Sequence, residues 1–178
     1  MSAFVERPLD SERVFDGALL QVHRDRVQLP DGREATREYV RHPGAAIILP
    51  VLDDGRLLMV RQYRYPVGAE TLEFPAGKID PGEPSLETAR RELLEETGHV
   101  AGVLEFAFHV LPCVGYADER IDYFLARGLR HVGHPGEDGE FLAVETVSLD
   151  ALLAAADRGE LAEAKTLIGA YWLARRAG

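Results

Sequence analysis

The chain has 178 residues, of which 46% are hydrophobic and 28% are charged, and its formal net charge is −10 at pH 7. Such a length and composition exclude a disordered chain and are typical of one large domain, or of one domain with a small appendage. The acidic balance argues against nucleic acid or an anionic membrane as a partner, because phosphate groups attract clustered Lys and Arg side chains.

Cys113 is the only cysteine, which excludes a disulfide within the chain and predicts a reducing compartment, so we expect a cytoplasmic protein. The first residues, MSAFVE, show no basic and then apolar leader. The longest apolar run, Ala45 to Leu52, contains Pro50 and is too short to span a bilayer. A membrane anchor is therefore not expected.

Residues 1–42 predict a small antiparallel β unit. Short strands are indicated at Ala18–His23, Val27–Leu29 and Arg37–Arg41, and Asp31-Gly32 is a strong turn signal between the last two. Because three short strands bury little apolar surface alone, this unit must pack on something larger, either the rest of the chain or a second copy. We expect a second copy, which would give a homodimer.

Residues 43–178 predict a larger α+β domain, in which a mixed sheet has helices on both sides. A continuous apolar strand is expected at Ala45–Leu49, one helix near Ser148 or Asp150, and a last helix at Ala164–Arg175. The other strands that the sequence predicts are Arg56–Arg61, Leu104–Leu111, Ile121–Ala126 and Phe141–Val147.

The segment from Gly77 to His99, GKIDPGEPSLETARRELLEETGH, predicts an amphipathic helix that carries a stripe of acids. At about 100° per residue, Glu92, Glu95 and Glu96 share an arc of roughly 100°. An apolar edge beside the stripe would anchor the helix on a core, and it consists of Leu86, Ala89, Leu93 and Thr97. The acids are therefore expected where a buried face meets solvent.

Like charges at this spacing repel, so the stripe requires positive compensation. Arg91 is placed to neutralise one flank, whereas Glu92 and Glu96 are expected to have no cation on their own face. A hard divalent ion fits that gap, and Mg²⁺ suits one or two carboxylates together with a substrate phosphate. For a Glu-rich helix taken alone, the alternative is an ordinary solvated face with salt bridges.

The spacing of the specified positions around this helix is distinctive, and the positions are Gly77, Glu83, Arg91-Glu92, Leu93, Glu95-Glu96 and Gly98. This spacing resembles the Nudix box of the Nudix hydrolases. The box usually closes on an aliphatic residue, and His99 stands there in this chain. A histidine just past a helix C-terminus is electrostatically favourable, so we interpret the departure as local.

Three further segments resemble those of ADP-ribose pyrophosphatases within that family: Val60–Arg64 (VRQYR), Leu72–Gly77 (LEFPAG) and Gly115–Glu119 (GYADE). That subgroup usually has proline before the glycine of the last segment, where this chain has Val114. The resemblance implies hydrolysis of ADP-ribose to AMP and ribose 5-phosphate. GDP-mannose or another nucleoside diphosphate sugar stays open as a substrate, and a non-catalytic nucleotide-binding module is the second alternative.

The resemblance also implies roles for individual residues within an α/β/α sandwich. Metal, Mg²⁺ or Mn²⁺, would be held by the carboxylates of Glu92, Glu95 and Glu96 and the backbone carbonyl of Ala76. Arg64 is a candidate for contact with the diphosphate or ribose, since a guanidinium binds phosphate oxygens in a bidentate manner. Glu73 and Tyr116 are further candidates for substrate binding.

The general base is expected from one of three acids. Glu95 could act through water. Glu137 and Glu140 lie in an acidic, glycine-containing loop, HPGEDGE, and either is also consistent with a plain solvated side chain.

Overall fold

The computed structural model describes residues 3–133 and 141–177. It divides into two compact units. The first contains the described residues up to Gly44 together with Leu111–Arg120, and the second contains Ala45–Val110 and the described residues from Ile121 onward. None of the helices in these ranges is long and apolar enough to cross a membrane.

The first unit is a three-stranded antiparallel sheet, as the sequence predicted. Its strands are β1 (Arg7–Asp16), β2 (Gln21–Gln28) and β3 (Glu34–Arg41), paired in the order β1-β2-β3. Gly32 has a φ of 89° in the turn between β2 and β3. That conformation suits glycine, which explains the strong turn signal there.

The predicted strand bounds in this unit were wrong. Ala18–His23 and Val27–Leu29 are not separate strands, because β2 runs through the polar residues between them, and β1 was missed. All ten residues of β1 are exposed, so no inward face leaves an alternating pattern. Cross-strand ion pairs stabilise these polar strands instead: Arg24 pairs with Glu38 at 3.0 Å, and Arg26 with Asp10 at 2.8 Å.

The GYADE segment belongs to the first unit and extends the end of β3. The Val40 amide donates to the Tyr116 carbonyl at 2.8 Å, and the Asp118 amide donates to the Val40 carbonyl at 3.2 Å. The His42 amide donates to the Asp118 carboxylate at 2.8 Å. A segment distant in sequence therefore completes this unit.

The second unit contains two sheets and three helices. Its four-stranded sheet has the order β7-β4-β9-β8, in which β4 and β9 are parallel and the other pairs antiparallel, and its three-stranded sheet has the order β10-β5-β6. The element bounds are β4 Ala45–Pro50, β5 Leu57–Arg64, β6 Ala69–Glu73, β7 Ala76–Lys78, α1 Ser85–Thr97, β8 His99–Val110, β9 Ile121–His131, β10 Leu142–Val147, α2 Leu149–Asp157 and α3 Ala164–Ala177.

The core lies on both faces of β4, which confirms the predicted mixed sheet with helices on both sides. Ile47 and Leu49 pack in one buried cluster with residues of α2 and α3, including Leu152 and Leu173. Ala46 and Ile48, which point the opposite way, pack in a second cluster with Ala89 and Leu93 of α1. A strand buried on both faces reads as a continuous apolar run, and this explains the sequence pattern.

Several elements in this unit are longer than predicted. β8 begins at His99 instead of Leu104, and β9 continues past Ala126, because the two strands pair as far as His99 with His131. β5 extends past Arg61 through pairing with β6. Ser148 caps α2 as expected, since its hydroxyl accepts a hydrogen bond from the Ala151 amide at 3.2 Å.

Candidate active site

Helix α1 presents the acids because its other face is anchored in the core. Ala89 and Leu93 are fully buried there, and so is Thr97. The helix ends at Gly98, whose φ of 67° is left-handed and whose amide donates to the Leu94 carbonyl. The helix is therefore fixed in rotation, and Glu92, Glu95 and Glu96 emerge at the edge of the buried surface.

A single guanidinium connects most of the acids. Arg91 Nη1 donates to Glu92 Oε1 at 2.6 Å and to Glu95 Oε2 at 3.0 Å. Its Nε and Nη2 both contact the carboxylate of Glu83, at 3.2 and 3.0 Å. Nη2 also donates to the Lys78 carbonyl at 3.2 Å. Arg91 thus hydrogen-bonds to three carboxylates at once and joins α1 to the loop before it.

The expectation that Glu92 has no cation of its own was therefore wrong. On a helical wheel, neighbouring residues diverge by about 100°, which separates the Cβ atoms of Arg91 and Glu92. The flexible arginine side chain spans that separation and brings its guanidinium to the next carboxylate.

Glu83 is held in its ionised form by its neighbours. The hydrogen bonds from Arg91, followed by the one from Thr88, lower the pKa of Glu83 to about 2. Hydrogen bonding to Glu83 is also the main cause that raises the pKa of Arg91. Both partners therefore stay charged throughout the neutral range, and the Arg91 network persists there.

Glu92 and Glu96 lie against the backbone at Ala76-Gly77. The Ala76 amide donates to Glu96 Oε2 at 3.0 Å, and Glu96 is only 5% exposed. A Cβ on Gly77 would overlap the carboxylate of Glu92. The absence of a side chain at Gly77 is thus what allows the acid to approach the chain.

The donor types present here suit a hard divalent cation, since such ions prefer carboxylate and backbone carbonyl oxygens. Within residues 3–133 and 141–177, no three His, Cys, Asp or Glu side chains already surround one point as a metal centre would. Arg91 Nη1, which contacts both Glu92 and Glu95, holds the positive charge at that place.

Arg64 and Glu73, both predicted to bind substrate, bind each other. Arg64 Nε and Nη2 donate to the two carboxylate oxygens of Glu73, each at 2.8 Å. Thr71 donates to the same carboxylate at 2.6 Å. Burial opposes ionisation of Glu73, which is 1% exposed, but the hydrogen bonds and the charges of Arg64 and Lys165 outweigh it and lower the pKa.

Two residues beside this pair, Glu163 and Lys165, were not predicted from the sequence. Lys165 Nζ lies 3.7 Å from Glu73 Oε2 and contacts the carboxylate of Glu163. The sequence does contain one indication of Glu163. It stands immediately before α3, and Thr166 follows three residues later, which is the spacing of a helix cap.

The remaining predicted site residues are placed as follows. Tyr116 is 62% exposed and belongs to the first unit, whereas the acids of α1, Arg64 and Glu73 belong to the second. Glu137 and Glu140, the candidate bases, lie outside the described residues. The functional roles of all these residues stay predictions.

Comparison with known proteins gives two family matches. Residues 40–167 match the NUDIX domain, and residues 6–40 match the nucleoside diphosphate sugar hydrolase N-terminal domain.

Individual relatives match nearly the whole chain. The ADP-ribose pyrophosphatase of Bacillus subtilis is 37% identical over 177 residues, 97% of this chain and 95% of that protein. The methanol dehydrogenase activator of Bacillus methanolicus is 34% identical over 96% of this chain and 93% of its own. A crystal structure of an ADP compounds hydrolase superposes with a TM-score of 0.86 at 25% identity, covering 98% of this chain and 95% of that chain.

We predict that Gly77→Ala weakens divalent-cation binding while the protein still folds. The added methyl group would displace the Glu92 carboxylate. Changes to groups that orient metal ligands weaken metal affinity by about 10- to 100-fold. Titration of Mn²⁺ into the purified protein, by calorimetry or electron paramagnetic resonance, measures the effect.

Gly102→Ala is the matched control, because a Cβ there would meet its nearest atom at 3.4 Å, an ordinary contact. Equal Mn²⁺ affinity in Gly77→Ala and the unmodified protein would show that the approach of Glu92 to the backbone plays no part in cation binding.

Proposed function

Because this chain belongs to the Nudix family, we propose that it hydrolyses the diphosphate bond of ADP-ribose and releases AMP and ribose 5-phosphate. The observation that carries the proposal is the acidic network of α1 around Arg91, present in the same unit as the Arg64–Glu73 pair. The near full-length similarity to a relative named ADP-ribose pyrophosphatase supports the choice of substrate.

The proposed metal ligands are the carboxylates of Glu92, Glu95 and Glu96 and the backbone carbonyl of Ala76, and Mg²⁺ is the proposed ion. A divalent cation at such a site neutralises charge on phosphate oxygens and lowers the pKa of water. The protein keeps the acids in place through Arg91, through the Ala76 amide and through the absence of a side chain at Gly77.

Arg64 is proposed to bind the diphosphate with the edge that Glu73 does not use. A guanidinium carries five N–H donors. Nε and Nη2 each direct one of them to Glu73, which fixes the plane of the group. The donors on the other edge are then available to phosphate oxygens. In this arrangement Glu73 orients Arg64 and need not contact the substrate itself.

Hydrolysis requires the addition of water to one phosphorus atom, cleavage of the bridging P–O bond and removal of a proton. Glu95 is one proposed base, and Arg91 holds its carboxylate at 3.0 Å. Glu137 and Glu140 are the others. Tyr116 is proposed to contact the substrate. A cytoplasmic location stays a prediction that rests on the single cysteine.

The test of this proposal is a substrate panel. ADP-ribose, GDP-mannose and other nucleoside diphosphate sugars are incubated with the protein in Mg²⁺ and separately in Mn²⁺, and the nucleotide products are quantified. We expect kcat/KM for ADP-ribose to exceed that for GDP-mannose by at least about tenfold. A preference for GDP-mannose would support the alternative substrate, and no turnover in either metal would support a binding module.

We also predict that Glu92→Gln and Glu96→Gln nearly abolish turnover without unfolding the protein. Each removes a charge from the metal-binding face, and in Glu96→Gln the new side-chain carbonyl can still accept the hydrogen bond of the Ala76 amide. Loss of a ligand that supplies several kcal/mol should reduce kcat by about 100-fold or more.

Glu87→Gln is the control, since Glu87 lies on the same helix but pairs with Arg90 on the exposed side at 3.5 Å. Circular dichroism verifies folding of each variant. Near-normal kcat at saturating Mg²⁺ in both site variants would refute the assignment of these acids.

We further propose a homodimer assembled through the first unit. Its surface exposes several large apolar side chains, namely Phe4, Leu9, Phe15, Leu19 and Leu20. Within the described strands, β1 pairs with β2 alone and presents an open edge. An apolar surface beside an open edge favours association with a second copy.

Light scattering at micromolar concentration is expected to give twice the chain mass. Phe15→Asp should lower that mass, because Phe15 is 55% exposed on β1 and a charge there disfavours burial. Phe141→Asp, at a side chain 97% exposed in the second unit, is the matched control. A monomer mass for the unmodified protein together with full activity would rule out this assembly.

A further inference from the structure

The first turn of α3 is held by its own capping residue. Glu163 accepts hydrogen bonds from the Thr166 amide and hydroxyl, both at 2.8 Å, and from the Lys165 amide at 3.1 Å. Thr166 is fully buried. The buried Tyr123 donates its hydroxyl to the Lys165 carbonyl at 2.9 Å. The backbone at Lys165 is thus fixed from both sides.

The next turn of α3 packs directly on the core. A Cβ on Gly169 would come within 2.7 Å of the side chains of Leu49 and Phe74, so only a glycine permits this approach. The helix cannot shift toward or away from the sheet without losing that packing. Lys165 therefore extends from a rigid element, and its side chain is aimed by the fold.

The ammonium of Lys165 shares a carboxylate with Arg64. Lys165 Nζ lies 3.7 Å from Glu73 Oε2, and Arg64 Nη2 donates to the same oxygen at 2.8 Å. The side chain of Glu73 is 2% exposed, whereas those of Lys165 and Arg64 are 30% and 42% exposed. Two partly exposed cations therefore flank the buried carboxylate of Glu73, and Lys165 also contacts the carboxylate of Glu163.

We propose that Lys165 is a positioning residue that acts through Glu73 to keep Arg64 available to the diphosphate of the substrate. This inference rests on the proposed function, in which Arg64 contacts phosphate oxygens. Lys165 and Arg64 compensate the same carboxylate. The charge of each cation therefore weakens the electrostatic attraction between Glu73 and the other. Without Lys165, Arg64 is the only cation beside Glu73 among the described residues and is bound more tightly by it. The group also loses one positive charge, which weakens its attraction for an anion.

Steady-state kinetics with ADP-ribose test the proposal. Lys165→Met should raise KM about tenfold and change kcat by less than about threefold, because the lost contribution is to substrate binding. Lys165→Arg keeps the charge, so its KM should stay close to that of the unmodified protein. Arg158→Met is the matched control: Arg158 is a cation of the same unit, paired at 2.7 Å with the exposed Glu160, and its loss should leave KM unchanged.

A double-mutant cycle separates action through Glu73 from direct contact with substrate. If Lys165 acts through Glu73, Lys165→Met should have little effect on KM in a Glu73→Gln background. An equal rise of KM in both backgrounds would overturn the positioning role. Should Glu73→Gln fail to fold, Arg64→Lys provides the second background, in which the effect of Lys165→Met should likewise disappear.

A substrate-free measurement keeps the inference distinguishable from the proposed function. In ¹H–¹⁵N NMR spectra of the free protein, the Arg64 Nε–H resonance should shift in Lys165→Met and not in Arg158→Met. An unmodified protein that leaves ADP-ribose intact would refute the proposed function only. An unchanged Arg64 resonance, or an unchanged KM in Lys165→Met, would refute the role of Lys165 whatever the substrate is.

Discussion

The candidate site depends on one guanidinium, that of Arg91. Without it, the carboxylates of Glu83, Glu92 and Glu95 would face one another at the edge of a buried surface, where mutual repulsion is screened less than in water. Arg91 removes that repulsion and also ties the helix to the Lys78 carbonyl in the preceding segment. Arg91 Nη1 therefore holds the carboxylates of Glu92 and Glu95, and a divalent ion bound by both acids would have to replace that contact.

The second charged group in this unit, around Glu73, has the opposite arrangement of charges. On α1 one cation compensates several acids, whereas around the almost fully buried Glu73 two cations, Arg64 and Lys165, share the carboxylate, and Lys165 is also paired with Glu163. Burying ions is unfavourable unless they are paired and hydrogen-bonded. Glu73 meets that condition with hydrogen bonds from Arg64 and Thr71 in addition to the charge of Lys165. In the proposed function the first group would bind the cation, and the second would bind the diphosphate through Arg64.

The sequence was most informative where local periodicity determines the outcome. Helical spacing predicted the acidic stripe of α1, and a continuous apolar run predicted that β4 is buried on both faces. It was least informative where side chains bridge distant segments or where a strand has no buried face. The ten exposed residues of β1 carry no alternation to recognise. The contact of Lys165 with Glu73 depends on how α3 packs against the sheet, which no local pattern encodes.

The parallel pairing of β4 with β9 has a consequence for how this protein is made. Ala45 pairs with Ile121 and Pro50 with Ala126, so β4 cannot pair with β9 until β9 has been synthesised, much later than β4 itself. The first unit is also incomplete until then, because it includes the segment Leu111–Arg120. Neither unit can close during synthesis of roughly the first hundred residues, and such distant pairings fold slowly. Until then the apolar strand β4 is exposed to other nascent chains, which makes this stage the one most sensitive to aggregation and to chaperone supply.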